Sequence, residues 1–247
     1  MPRGDAALAR LAARNNAEWC RAVATSHGIA SAFTLDGALW VAESPTPVGY
    51  PEAVTLEAGL DPSAVLAALA RCSPAASSLK DSFADLELGS AGWAPLFEAT
   101  WVVADAATPA TAPISTGTDG SLGLVPVTGG AGLARWGQSH GLPDAFASPL
   151  LEAPGVLVLG TAPAHATPAA GGVLNRTGEV VGLSNAFGGG LELYRALRRE
   201  AGVRWPGLPI VGYESDDALA DALAAGFRPL APLRVWVGPD QPARQTT

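Results

Sequence analysis

Val180-Val-Gly-Leu-Ser-Asn-Ala-Phe187 runs into Gly188-Gly-Gly190 and then into Leu191-Glu-Leu-Tyr-Arg-Ala-Leu-Arg-Arg-Glu-Ala201. The first stretch, opened by Glu179, is a short apolar run of strand composition that three glycines break. In the third, Leu191, Tyr194, Leu197 and Arg198 recur at helical spacing. After Pro206 a second apolar run, Leu208 to Tyr213, reads as another strand. A strand, a helix and a strand this closely spaced imply a parallel crossover, with 180–187 and 208–213 as neighbours in one sheet.

Reading outward from this unit, Ser215 stands where it caps a helix over 216–225, and Asp216 and Asp217 lie near that helix's positive end. Gly226 ends the helix, and Leu233 to Val237 forms a last strand. Upstream, Ala131 to His140 reads as a short helix stopped by Gly141 and Pro143. Val156–Leu159 and Gly171–Asn175 are short buried strands joined by a Pro/Ala-rich loop over 162–170. The order of strands, helix, strand, helix, strand places the chain among mixed α/β folds.

An internal match organises the rest. Ser26-His-Gly-Ile-Ala-Ser-Ala-Phe33 resembles Ser139-His-Gly-Leu-Pro-Asp-Ala-Phe146, each after a short helical pattern with a tryptophan, Trp19 or Trp136. Gly92-Trp-Ala-Pro-Leu96 likewise matches Gly226-Phe-Arg-Pro-Leu230, each followed by an apolar run. The expected organisation is a shortened first copy within 1–103, an Ala/Thr/Pro/Gly-rich linker over 104–121, a fuller module over 122–238 and a loose tail over 239–247.

Composition narrows the function. Lys and Arg number 15 against 23 Asp and Glu, a net charge of −8, which argues against nucleic acid or an anionic membrane as partner. Cys20 and Cys72 are too few for a disulfide framework and lack C-x-x-C spacing. His27, His140 and His165 are scattered without carboxylate spacing, so no metal is expected. The N-terminus lacks the apolar segment of a signal peptide, and the longest uncharged stretch, 153–175, is broken by Pro154, Pro163 and Pro168. A cytoplasmic monomer or homodimer acting on a small molecule is the expectation.

The strand 180–187, its glycine-rich exit, the segment 208–213, and the helix-Gly-Phe227 running into Arg228 to Val237 resemble the GNAT superfamily of acyl-CoA-dependent N-acyltransferases. The resemblance covers about 122–238, and the first copy resembles a shortened relative without the central strand and glycine turn. It implies a central mixed sheet flanked by helices and an acyl-CoA co-substrate. It also implies a thioester beside Leu183, Ser184 and Asn185, with the diphosphate over Gly188, Gly189 and Gly190. The implied reaction is acyl transfer, of acetyl in the first instance, to a small amine. The alternative is a protein of the same fold that binds a ligand or runs another reaction in that cleft. Two positions depart from the family pattern: Asn185 stands where a Gln or Arg opens the diphosphate loop, and Ala222 stands where many members carry a tyrosine acid.

The residues suggest particular roles. An amine acceptor must lose a proton, and Glu214, beside Tyr213 at a strand end, is the first candidate base. Its other reading is a carboxylate supporting the helix that follows. Glu179 is the second choice. Arg195, Arg198 and Arg199 either supply charge to the glycine turn or form an exposed basic face. Ser184 and Asn185 either expose groups to pantetheine amides or satisfy a strand bulge. His27 and His140, each before a glycine, suit the last carbonyls of a helix. Gly182-Leu-Ser-Asn-Ala186 approaches a nucleophile elbow, but no histidine follows it at triad position. Gly188-Gly-Gly190 is not a dinucleotide fingerprint, and the seven tryptophans are too dispersed for a stacking platform.

Overall fold

The structure, a computed structural model, describes residues 4–105, 122–161 and 166–239. The proposed linker from 106 onward, His165 and the tail from 240 lie outside the described residues. The chain divides into two compact units, one of 1–99 with 231–247 and one of 100–230.

The second unit holds the 180–201 stretch. Its strands are the last residues of β5 (Ala94–Ala104), then β6 (Val125–Pro126), β7 (Val156–Gly160), β8 (Gly171–Thr177), β9 (Val180–Phe187) and β10 (Ile210–Glu214). Helices α3 (Gly129–His140), α4 (Gly190–Arg204) and α5 (Asp216–Ala224) connect them. β6 to β9 pair antiparallel in sequence order. β9 and β10 are parallel, Ile210 opposite Val181 and Val211 opposite Gly182, as the spacing around α4 requires.

Packing explains why these segments settle as they do. α4 buries Leu193, Tyr194, Leu197 and Ala201 on one face, and α5 buries Ala222, with its C-cap Ala225, beside them. Both rest on Val181, Leu183 and Ile210, so the alternation of the two parallel strands fixes their register. On α3, Leu133 and Trp136 are buried, and the indole Nε1 donates to the Leu159 carbonyl at 2.8 Å. Gly141 ends α3 with φ 86°, a left-handed position that a side chain would strain.

The first unit also combines helices with short strands and one parallel pair. α1 (Asp5–Ser26) precedes β1 (Ser31–Thr34), β2 (Leu39–Ala42) and β3 (Ala53–Thr55), and α2 (Pro62–Cys72) leads to β4 (Ser78–Asp81). β3 and β4 pair in parallel across α2. The expectation that the first copy lacks a central strand is corrected here: a three-residue strand and its crossover are present. Asp61 caps α2 by accepting from the Ser63 amide at 3.1 Å, so this helix start is closed by its own carboxylate.

The boundaries also differ from the reading by composition. β11 (Arg228–Val237), expected as the last strand of the C-terminal module, pairs antiparallel with β4, Arg234 opposite Asp81 and Val237 opposite Ser78. The edge of β10 is filled instead by Thr100–Ala104 of β5, with Glu214 opposite Thr100 and Ile210 opposite Ala104. The matched segments Gly92–Leu96 and Gly226–Leu230 both lead into these strands, so each half of the sequence supplies the strand that completes the other half's unit. Composition carries no trace of such an exchange, because both strands are apolar and of similar length.

Candidate active site

Parallel pairing of β9 and β10 is confined to Val181–Ile210 and Gly182–Val211, although a Cβ on Gly212 would still meet the Leu183 carbonyl at 2.9 Å. The cause lies partly in β9. Opposite Val173 stands Ser184, but opposite Gly171 stands Phe187, so β9 carries an extra residue. Asn185 takes up the bulge with φ 54°. An asparagine tolerates that conformation better than a branched residue. Of the two readings of Ser184 and Asn185, the bulge is realised at Asn185.

Asn185 is held from α3. Its Nδ2 lies 3.4 Å from Nε2 of His140, whose ring stacks on Trp136 at 5.4 Å and 17° and meets Phe146 and Phe187 edge-on. Burial in this aromatic surround lowers the His140 pKa and favours the neutral imidazole, which accepts the amide proton. His140 therefore supports the bulge rather than the last carbonyls of α3.

Beyond the bulge, Gly188 to Gly190 turn the chain into α4 and border a cavity of about 240 Å³. The cavity is lined by this turn from Ala186, by Leu193 and Tyr194 of α4, and by Ala218 and Asp221 of α5. The turn packs closely at its back: a Cβ on Gly189 would sit 3.1 Å from Leu193 and 3.2 Å from Ala170 and Leu122. One on Gly188 would collide with the Ala169 carbonyl. Substitution at either glycine therefore disturbs the fold as well as any ligand.

Glu214 ends β10 on the face that carries Ile210 and Gly212, toward α4 and α5. Burial raises its pKa to about 7, against which a hydrogen bond from the Tyr194 hydroxyl works. Tyr194 is itself buried against Phe227, ring centroids 6.2 Å apart, and is pushed well above the usual phenol range by burial and by Glu214 and Asp221. A carboxylate that titrates near neutrality, bonded to a phenol at the cavity wall, can accept and return a proton. Tyr213 points to the opposite face, edge-on to Trp101 at 5.4 Å. The phenol joined to Glu214 is Tyr194, which sequence reading placed only on an apolar helix stripe.

Arg195, Arg198 and Arg199 of α4 are engaged elsewhere. Arg195 pairs with Glu192 at 2.6 Å. Arg198 donates to the carbonyls of Ala225 and, at 3.2 Å, Asp105, and Arg199 donates to the Leu122 carbonyl at 3.3 Å. The group that faces the turn is acidic: Oδ2 of Asp221 lies 3.3 Å from where a Cβ on Gly190 would be. The cavity has apolar walls from Ala186, Leu193 and Ala218, whereas the carboxylate at the turn does not suit a diphosphate. Among the described residues no cluster of His, Cys, Asp and Glu could hold a metal ion, and no helix is long and apolar enough to cross a membrane.

The chain is similar to a GCN5-related N-acetyltransferase from Kribbella flavida, at TM-score 0.59 and 14% identity over 93% of this chain and 96% of that one. It is also similar to a functionally unknown conserved protein from Staphylococcus epidermidis ATCC 12228, at TM-score 0.50 and 10% identity over 81% and 83% of the two chains. A tandem GNAT protein from the clavulanic acid biosynthesis pathway matches at TM-score 0.45 and 16% identity, over 85% and 79%. No protein-family profile and no curated protein sequence matches. The chain thus has the mixed α/β fold of the GCN5-related N-acetyltransferases.

Proposed function

We propose that the second unit is an N-acyltransferase that moves an acyl group, acetyl in the first instance, from an acyl-CoA-type thioester to a small amine. The observation that carries this reading is the Glu214–Tyr194 pair at the end of β10, with Tyr194 on the cavity wall. The fold adds support, because a β9–β10 register that ends at Gly182 and Val211 leaves the next β9 main-chain groups able to meet an extended thioester. A donor lying along Leu183 to Asn185 would meet backbone N–H groups able to polarise its carbonyl.

The two side chains complete the proton inventory. Glu214 takes the N–H proton of the neutral amine as the C–N bond forms and the C–S bond breaks. Tyr194 gives its proton to the departing sulfur and recovers one from Glu214, so amine and thioester become amide and thiol with no proton left over. A phenol held above its usual range is a weak acid while Glu214 is charged. Protonation of Glu214 removes that charge and lets Tyr194 act, which couples the two transfers. This arrangement replaces the tyrosine missing at Ala222, a position with no exposed surface in the α4–α5 core.

Thiol release from acetyl-CoA, measured across a panel of primary amines, tests the reading. Release that depends on an amine and falls at least 100-fold in Glu214→Gln supports it. Saturable ligand binding without release by any thioester supports the second reading, a binding protein built on the same cleft, for which the acidic wall at Asp221 speaks.

A further inference from the structure

The start of α4 is the place where this fold would meet a nucleotide diphosphate, and here it is answered by acids. Backbone N–H groups and the helix dipole favour an anion at such an end. Oδ2 of Asp221 stands 3.3 Å from where a Cβ on Gly190 would be, and Glu192, paired with Arg195, lies in the first turn of the helix. Arg195, Arg198 and Arg199 are bonded to Glu192 and to main-chain carbonyls rather than turned to the cavity. Two negative charges brought within several Å of Asp221 would lose on the order of tenfold to a hundredfold in affinity. The cavity itself, about 240 Å³ with apolar walls from Ala186, Leu193 and Ala218, matches a methylene and amide chain better than a nucleotide.

Resting on the acyltransferase reading, we infer that the donor is recognised through its pantetheine arm and acyl group, and that the nucleotide contributes no affinity. A pantetheine thioester without nucleotide is then as good a donor as acyl-CoA. Such an arm reaches the site either as a small free thioester or carried on a protein.

Calorimetric titration of the whole chain with CoA, pantetheine and 3′,5′-ADP tests this. The expected result is that CoA and pantetheine bind within about threefold of each other, that 3′,5′-ADP does not bind at millimolar concentration, and that Asp221→Arg raises the ratio of CoA to pantetheine affinity about tenfold. CoA binding more than about 30-fold tighter than pantetheine, or binding of 3′,5′-ADP alone, overturns the inference and leaves the acyltransferase reading standing. An unchanged ratio in Asp221→Arg overturns it too, because the acid is then not what disfavours the nucleotide. If neither CoA nor pantetheine binds, both the inference and the reading on which it rests fall. A fourth titrant, a carrier domain bearing phosphopantetheine, separates the sources. Tighter binding than free pantetheine assigns the arm to a carrier, and equal or weaker binding assigns it to a free thioester.

Discussion

The hydroxyl of Tyr194, near the start of α4, donates to the carboxylate of Glu214 at the end of β10, and this bond joins the cavity wall to a carboxyl that burial holds near neutrality. Each partner alone would be an ordinary core group. Together they give the site a proton acceptor and a proton donor in contact.

Removing the phenol isolates the donor. Tyr194→Phe keeps the ring against Phe227 and should lower kcat for thiol release roughly 100-fold while KM for the thioester changes little. The same variant removes the hydrogen bond that lowers the Glu214 pKa, so the acidic limb of the pH–rate profile should move to higher pH. A profile that stays in place would separate the two residues.

Glu214 should also be visible in stability. Its pKa is about 7 in the folded protein and near the ordinary value of 4.5 when unfolded, so between these values the folded state binds more protons. The carboxylate's contribution is therefore most favourable below about pH 4.5 and becomes unfavourable as pH rises through about 7. Glu214→Gln should be more stable than the native protein at pH 8, by on the order of 3 kcal/mol at most, and the gain should vanish toward pH 5. Urea denaturation at the two pH values measures it.

His140 carries the opposite sign. Burial lowers its pKa, so the unfolded chain binds the proton more readily as pH falls through the usual histidine range near 6.5. The native protein should lose stability there, and His140→Gln, which can still accept from the Asn185 amide through its side-chain oxygen, should flatten the dependence. An unchanged slope in the variant would assign the acid sensitivity to another group.

Gly171 tests the packing behind the site. A Cβ there would lie 2.5 Å from both the Leu159 carbonyl and Nε1 of Trp136, the two ends of one hydrogen bond. Gly171→Ala should cost about 2–4 kcal/mol by breaking that bond and overpacking a buried tryptophan. Thermal unfolding followed by tryptophan fluorescence reads the loss.

The local grammar of the chain was legible. The glycine break after Phe187 and the spacing of Leu191, Tyr194 and Leu197 imply the crossover that pairs Val181 with Ile210. Glu214 stands out in the sequence because it follows an apolar strand. Three things were not accessible. Tyr194 and Glu214 meet only after α4 folds back over β10, and no local pattern reports that distance. Asp221 reads as one more polar residue of α5 until the turn at Gly190 is brought against it. The exchange of β5 and β11 between units is invisible because pairing partners are chosen by register across a sheet, while each strand alone is merely apolar.

The pH dependence of amine-stimulated thiol release, followed in parallel for the native protein and Glu214→Gln, bears most directly on the central claim. The account predicts that kcat/KM of the native protein rises with a pKa near 7, and that Glu214→Gln falls roughly 100-fold or more and loses that limb, leaving only the slope set by the amine itself. A variant that keeps the native rate and the native limb would contradict the account, because proton transfer would then belong to a group other than Glu214.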